Sequence, residues 1–254
     1  MTDPVATPIP GTPNLLLGAY DIASLGYVAE EFFVSGTASS YTADGKVGSD
    51  GRWSVSPSGT ADYTTRMVVL RPADHANFNG TVLIEWLNVS GGVDAPAVWF
   101  MAHREIVREG YAHVVVSAQR VGVECGAGVL DMADMSLKTV APERYARLNH
   151  PGDAFAYDIF SQIGRLVSNQ DRDGLLSPLT PEIVVAVGES QSAAYLTTYV
   201  NAVDPLTKVY DGFLIHSRFG AAAPLDSSAL LATSGTDMPQ AVKFRPDGGV
   251  PESV

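Results

Sequence analysis

Cysteine is almost absent from this chain: Cys125 is the only one among 254 residues. A single cysteine cannot form an intramolecular disulfide or supply a cysteine-rich metal site. No run of apolar residues is long enough to cross a membrane as a helix. Because 46% of the residues are hydrophobic, the chain can instead bury one sizeable core. We therefore expect no membrane span and no stabilising disulfide.

Basic residues are the second shortage. Lysine and arginine number 16 against 28 aspartate and glutamate, so the net charge is −12 and the isoelectric point is near 4.7. A nucleic-acid-binding protein needs a basic face, so we predict no nucleic-acid partner. An acidic surface mostly serves solubility and does not indicate a function of its own.

Sequence signatures of cofactors are missing as well. There is no phosphate-binding glycine loop, no dinucleotide-binding glycine fingerprint and no histidine or cysteine spacing typical of a metal site. We therefore predict no cofactor and no metal. Glu30 and Glu31 are adjacent acids in a β-rich segment, where they would lie on opposite faces of a strand and could not form a catalytic pair.

The beginning of the chain has its own composition. Met1–Pro13 is rich in proline and threonine and lacks the basic-then-apolar layout of a signal peptide. We predict that residues 1–24 are a disordered or extended lead-in and that residues 25–254 form one domain. The default location is the cytoplasm, unless an export signal is missing from the sequence.

Two β-rich segments open the predicted domain. Tyr27–Thr37 and Tyr63–Arg71 are rich in aromatic and β-branched residues, and Pro72 stops the second. Between them, Thr42–Gly59 contains many glycine, serine and aspartate residues and predicts a long loop. The two segments are therefore predicted to form an antiparallel hairpin.

From Thr81 onward, buried strands alternate with amphipathic helices. Strands are predicted over Thr81–Leu87, Ala112–Ser117, Val184–Val187 and Gly212–His216, and helices over Pro96–Arg108, Gly152–Asn169 and Gln191–Asn201. This alternation indicates an α/β fold with a mostly parallel central sheet and helices on both faces. The pattern fades after Ser217, so the last strands of such a sheet are expected to be missing.

The segment Gly188–Ser192 lies between the buried run Val184–Val187 and a helical pattern. A strand, a tight turn and a helix in this order predict a nucleophile elbow with Ser190 at its strained apex. The N-terminus of the following helix can stabilise negative charge there. The plainer interpretation is a buried strand that ends in a serine turn. Ser192 replaces the glycine usual at the end of the motif, but serine is still small enough for close packing.

Two elements could supply an oxyanion hole. The backbone N–H of Gln191, directly after the serine, would be one donor. The loop Asn88–Gly92 follows the first parallel strand, where the second donor belongs, and we propose Ser90, Gly91 and Gly92 as its candidates. Glycines let backbone amides approach a reacting oxygen closely. An ordinary turn is the alternative interpretation of this loop.

A catalytic acid and base are harder to find. In this type of site the acid and then the histidine follow the serine in sequence. His216 is the only histidine after Ser190, but it ends the very next predicted strand, so we treat it as a weak candidate base and favour a rim or structural role. The remaining histidines precede Ser190: His75, His103, His113 and His150. None of the acids after Ser190 ends a recognisable strand: Asp204, Asp211, Asp226, Asp237 and Asp247.

Four segments resemble one group of largely uncharacterised bacterial α/β-hydrolase-domain proteins: Leu25–Ala38, Glu85–Asp94, Tyr157–Gln162 and the elbow Gly188–Ser192. The resemblance extends from about Leu25 to Phe219. It implies an α/β-hydrolase fold and a serine hydrolase or esterase activity with Ser190 as nucleophile. Members of the group are longer, and their acid and histidine are expected beyond Val254. The resemblance therefore also implies a C-terminally truncated chain.

The leading hypothesis is hydrolysis of a small ester or related acyl substrate through an acyl-Ser190 intermediate. The alternative is a hydrolase-fold protein that binds without catalysis, or an inactive fragment that lacks the acid and the histidine. Gly122–Pro151 is a candidate cap insertion, in which Met132, Met135 and Leu137 could line an acyl pocket or pack as a surface loop.

Overall fold

The computed structural model describes residues 3–18, 21–124, 134–169, 175–218 and 220–226. In these ranges one sheet has the strand order β1-β2-β3-β5-β4-β6-β7. Its strands are β1 (Val5–Ile9), β2 (Tyr27–Ala43), β3 (Val55–Pro72), β4 (Thr81–Trp86), β5 (Ala112–Val116), β6 (Ile183–Glu189) and β7 (Gly212–His216). The helices are α1 (Ala97–Glu109), α2 (Arg120–Val123), α3 (Leu137–Val140), α4 (Ala156–Ser168), α5 (Gln191–Thr198) and α6 (Asp204–Thr207).

The sheet is antiparallel on one side and parallel on the other. β1, β2 and β3 pair antiparallel, and β3 pairs antiparallel with β5. β5, β4, β6 and β7 are all parallel. The predicted fold class, an antiparallel N-terminal hairpin beside a parallel centre, is confirmed. β1 lies within the predicted lead-in and adds an edge strand to the sheet, while the proposed domain boundary at residue 25 stays a prediction.

The N-terminal hairpin is longer than its sequence indicates. β2 and β3 remain paired as far as Ala43 and Val55. The prediction of a loop over Thr42–Gly59 is therefore wrong at both ends, where the residues belong to β2 and β3. Tyr41 and Trp53 are buried in the main core, and burying a large side chain contributes about 1.5–3 kcal/mol. This contribution outweighs the weak strand preference of the surrounding glycine and serine residues.

Helices cover both faces of the sheet. On one face, Trp86 of β4 packs on Phe160 of α4 and Tyr195 of α5, with ring centroids 4.9 and 5.3 Å apart. On the other face, Trp99 and Ile106 of α1 belong to a separate cluster. Successive side chains of a strand point to opposite faces, so Leu83 and Ile84 of β4 enter different clusters. The predicted two-sided helical cover is confirmed.

The parallel half follows the prediction closely, and β7 coincides with the predicted strand. The helix after the elbow differs, because it does not end at Asn201 but continues through a π-helical turn, Tyr199–Val203, into α6. Every residue of this turn is buried, so packing keeps the chain helical where the sequence pattern weakens. No helix in the described part of the chain is long and apolar enough to cross a membrane.

Candidate active site

The site is built around Ser190, at the junction of β6 and α5. Its backbone has φ 55° and ψ −110°, a conformation that is costly for any residue other than glycine. Gly188 makes the sharp turn possible. A Cβ atom there would lie 2.9 Å from Leu196 Cδ1 and 3.2 Å from the Ser192 carbonyl oxygen. The structure thus places Ser190 at the apex of the strand–turn–helix unit that the sequence predicts.

Backbone contacts hold the elbow while its hydroxyl stays available. The Ser190 N–H donates to the His216 carbonyl at 3.0 Å, which ties the elbow to the end of β7. The side chain of Ser190 is half-buried. Among the residues that the structure describes, the Ser190 hydroxyl has no hydrogen-bond partner. It is therefore a hydroxyl at a helix N-terminus, where negative charge is favoured.

The loop after β4 has the form of a closed turn. Asn88 and Ala95 exchange two backbone hydrogen bonds of 3.0 and 2.9 Å. Inside the loop, the Ser90 N–H donates to Asn88 Oδ1 at 2.8 Å and the Gly92 N–H to the Val89 carbonyl at 3.0 Å. The Gly91 N–H has no acceptor within the described ranges. Of the three loop residues predicted as oxyanion donors, only Gly91 has an unused amide.

Side chains join this loop to the elbow. Asn88 Nδ2 donates to the Glu189 carbonyl at 3.1 Å and to Glu189 Oε2 at 3.2 Å. The next residue of the loop, Val89, donates its N–H to Gln191 Oε1 at 3.4 Å. These bonds bring the Asn88–Ala95 loop against the first residue of α5, so the predicted oxyanion elements lie beside each other.

His216 is placed by its backbone rather than by its ring. Its side chain is exposed, and its Nδ1 lies 2.9 Å from Ser217 Oγ. In the described residues no hydrogen bond joins the imidazole to the Ser190 hydroxyl. The structure therefore brings the His216 carbonyl, and not its imidazole, to the elbow. Its role as catalytic base stays a prediction.

Two other histidines are buried in structural contacts. His113 Nε2 lies 2.8 Å from Glu85 Oε2. His150 Nε2 donates to the Ala118 carbonyl at 2.8 Å, while its Nδ1 accepts from the Gly152 N–H. Burial lowers the pKa of His150, although the nearby Asp153 carboxylate works against this shift. His150 is therefore held as the neutral imidazole, away from the elbow.

Two of the acids after Ser190, Asp204 and Asp211, make no hydrogen bond to the elbow within the described ranges. Asp211 accepts a hydrogen bond from the Val184 N–H at 2.7 Å, which is a structural role. Asp204 is half-buried, and burial raises its pKa. Asp237 and Asp247 lie outside the described residues, as do Cys125 and Met132.

The family model described as "Alpha/beta hydrolase domain" matches residues 5–252, nearly the whole chain. The chain belongs to this alpha/beta hydrolase domain family. No curated protein matches the sequence.

Esterases are among the solved structures to which the chain is similar. They include esterase Est22 (13% identity, TM-score 0.40, covering 79% of this chain and 47% of that one). They also include brefeldin A esterase, a bacterial homologue of human hormone sensitive lipase (14% identity, TM-score 0.38, covering 73% of this chain and 41% of that one). A third is acetyl xylan esterase 1 from Thermoanaerobacterium sp. JW/SL YS485 (10% identity, TM-score 0.37, covering 79% of this chain and 50% of that one). This α/β-hydrolase chain thus spans about half the length of each. Similarity this distant carries no argument about activity.

A buried charge cluster below the Asn88–Ala95 loop was missed by the sequence analysis. The Arg66 guanidinium, fully buried in β3, lies 2.8 Å from Asp94 Oδ2 and 3.4 Å from Glu31 Oε1. Its Nε donates to Ser117 Oγ, and Ser117 in turn donates to Asp94. Asp94 belongs to the loop, so the cluster anchors the loop to the sheet. An arginine directly before the apolar run Met67–Leu70 is the sequence signal that indicates such a cluster.

The candidate cap insertion of this α/β-hydrolase divides between core and surface. Leu137 is only 3% exposed and packs in a core cluster with Phe33 and Tyr145. This burial favours the packing interpretation of Leu137, and its place in an acyl pocket stays a prediction. Met135 is 44% exposed, and its N–H donates to the Gly92 carbonyl at 3.0 Å. Of Met135 and Leu137, Met135 is the one that bonds to the Asn88–Ala95 loop.

Proposed function

We propose that this α/β-hydrolase is a serine hydrolase that cleaves small carboxylic esters through an acyl intermediate on Ser190. The observation that carries the proposal is the strained turn at Ser190. Its hydroxyl lies at the start of α5, beside a loop that has an unused amide. Strain of this kind costs about 1–3 kcal/mol and persists where the surrounding structure imposes it, often at functional sites.

In the proposed reaction, Ser190 Oγ attacks the ester carbonyl carbon and passes its proton to a base. The tetrahedral intermediate then expels the alcohol, which takes up that proton, and leaves an acyl-Ser190 ester. Attack by water releases the carboxylic acid and restores the serine. The Gln191 and Gly91 N–H groups would hold the oxyanion, and one such donor is worth about 10²–10³ in rate.

The identity of the base is a separate hypothesis, with His216 as its candidate. The proposal requires the His216 ring, or another group, to reach the Ser190 hydroxyl. In the described residues no imidazole does so, and this favours a second candidate function. In that case the chain would be a hydrolase-fold protein that binds an acyl compound without turnover, or an inactive fragment.

Hydrolysis of p-nitrophenyl esters with acyl chains of increasing length tests the proposal. We expect turnover by the wild type and a loss of about 10³-fold or more in kcat for Ser190→Ala, since the covalent step is removed. Ser192→Ala is the matched control. The Ser192 hydroxyl is buried and has no hydrogen-bond partner in the described part of the chain, so its removal should leave turnover unchanged.

Two results would contradict the proposal. The first is hydrolysis of the esters by the Ser190→Ala variant at the wild-type rate. The second is a wild type that binds a non-hydrolysable amide analogue, as measured by calorimetry, but turns over none of the esters. The second result would favour the non-catalytic binding protein.

A further inference from the structure

A pair of buried glutamines connects the two parts of the proposed oxyanion hole. We propose that the Gln191 side chain is a positioning residue. It holds the Asn88–Ala95 loop against α5, so that the N–H groups of Gly91 and Gln191 converge on one oxyanion. The inference rests on the proposed function of Ser190 and adds a role for a side chain where only the backbone amide was expected to act.

The hydrogen bonds around the pair determine how both amide groups are oriented. Gln119 Oε1 accepts from Trp86 Nε1 at 3.1 Å and from Gln191 Nε2 at 2.9 Å. An indole N–H can only donate, so the oxygen of Gln119 must face Trp86. Consequently Gln191 presents its Nε2 to Gln119 and its Oε1 to the Val89 N–H, 3.4 Å away.

The far end of this chain of bonds is also anchored. Gln119 Nε2 donates to Asp153 Oδ2 at 3.1 Å. The Asp153 carboxylate accepts further bonds from the Arg120 N–H at 2.8 Å and the Tyr195 hydroxyl at 3.2 Å. Hydrogen bonds to an ionised group are stronger than those between neutral groups. Asp153 therefore fixes Gln119, and Gln119 fixes Gln191.

Burial makes the arrangement rigid. Gln119 is 2% exposed and Gln191 is 5% exposed. A buried amide that loses its hydrogen-bond partner destabilises the fold, because no water replaces the lost bond. The two side chains therefore have few alternative positions, and the Val89 N–H that touches Gln191 has a fixed acceptor.

The effect of Gln191 should be specific to the transition state. Val89 lies two residues before Gly91, so releasing its N–H lets the loop move relative to α5. A displacement of about 1 Å in a site can cost about 10²-fold in rate. The oxyanion forms only during reaction, so kcat should fall while KM stays unchanged.

The rate of phosphonylation by diisopropyl fluorophosphate, followed by intact mass, is the test. In this reaction Ser190 Oγ gives its proton to a base and bonds to phosphorus, the P–F bond breaks, fluoride leaves with the proton as HF, and the phosphoryl oxygen occupies the oxyanion hole. We expect Gln191→Met, which keeps the side-chain length but no hydrogen bond, to label about tenfold more slowly or worse. Gln119→Met should slow labelling less. The double variant should be no slower than Gln191→Met alone, because the two residues act as one unit.

Gln162→Met is the matched control. Gln162 on α4 is 3% exposed and bonded to the Tyr63 hydroxyl, the Thr37 carbonyl and Asp158. Its replacement removes an equally buried amide that has no contact with the elbow, so labelling should keep the wild-type rate. If Gln191→Met fails to fold, Gln191→Glu replaces it: the carboxylate still accepts from Val89 but cannot donate to Gln119, and labelling should again slow.

The outcomes separate this inference from the proposed function. If Gln191→Met labels at the wild-type rate, Gln191 does not position the oxyanion hole, while the Ser190 proposal stands. If Gln162→Met slows labelling as much as Gln191→Met, the effect is a general loss of structure and the inference is likewise wrong. A change in KM without a change in kcat also overturns it. A wild type that does not label at all contradicts the proposed function and this inference together.

Discussion

At the scale of single residues, the elbow depends on small side chains around one strained serine. Gly188 lies where β6 and α5 approach most closely, and the positive φ of Ser190 turns the chain between them. The Ser190 side chain makes no capping hydrogen bond to α5, so capping does not explain the positive φ of Ser190. Steric room at residue 188 therefore decides whether the serine can adopt its conformation.

Replacing Gly188 by alanine should destabilise the protein. The added Cβ would meet Leu196 Cδ1 at 2.9 Å and backbone atoms of Ser192 at 3.2 Å, and overpacking of this kind costs about 1–3 kcal/mol. Urea unfolding measures the effect. Gly45→Ala is the control, because its Cβ would have no neighbour within 4 Å. Equal unfolding free energies for the two variants would contradict this steric account of the elbow.

His150 should make the stability of the protein fall as the medium becomes acidic. Burial lowers its pKa in the folded state below the ordinary value of 6.5. The unfolded state therefore takes up a proton first as the pH falls. The contribution of His150 is fully present above pH 6.5 and is lost below it.

Urea unfolding between pH 7.5 and about pH 5 tests this expectation. The titration of one group changes the free energy of unfolding by at most about 1.4 kcal/mol per pH unit. His150→Gln, which does not titrate, should lose less stability than the wild type over the same range. Parallel losses in the two proteins would show that His150 titrates in the folded state as it does in the unfolded chain.

At the scale of elements, the Asn88–Ala95 loop is attached to the rest of the molecule at several points. Arg66 of β3 binds Asp94 of the loop from below, while Asn88 and Val89 contact the elbow from the side. Glu85, at the end of β4, accepts the Val98 N–H at 2.8 Å and so holds the start of α1. The loop is thus part of the rigid scaffold on both of its flanks.

Arg66→Met should be strongly destabilising. It would leave the Asp94 carboxylate buried without its guanidinium partner, while Glu31 would keep its ion pair with Arg144. Breaking a buried pair such as Arg66–Asp94 costs about 3–5 kcal/mol. Arg71→Met on the same strand is the control. Arg71 pairs with Glu30, whose side chain is 44% exposed, and such a pair contributes about 0–1 kcal/mol. A similarly small loss of unfolding free energy in both variants would contradict the anchoring role.

At the scale of the whole molecule, local patterns in the sequence predicted the parallel half of the sheet. Buried strands such as β4 and β7 are continuous apolar runs because both of their faces are covered, and a single stretch of sequence contains that signal. The strained turn at Ser190 could likewise be placed from adjacent residues. These features were predictable because their causes are local.

The remaining features depend on residues that are far apart in the chain. The predicted loop was wrong at its ends because Tyr41 of β2 and Trp53, two residues before β3, are buried in the core. A local pattern does not show that burial. Arg66 and Asp94 are 28 residues apart, and Gln119 and Gln191 are 72 residues apart. A pattern within a window of sequence contains no information about such pairs. Only the assembled fold shows that the Ser90 and Gly92 amides already have acceptors, while the Gly91 amide has none in the described ranges.

Labelling with a fluorophosphonate probe, followed by peptide mass spectrometry, shows whether Ser190 is a nucleophile. We expect one phosphonyl adduct, on the peptide that contains Ser190, and no adduct in Ser190→Ala, while Ser192→Ala labels as the wild type does. An adduct on a different serine that persists in Ser190→Ala, or no adduct in the folded wild type, would contradict it.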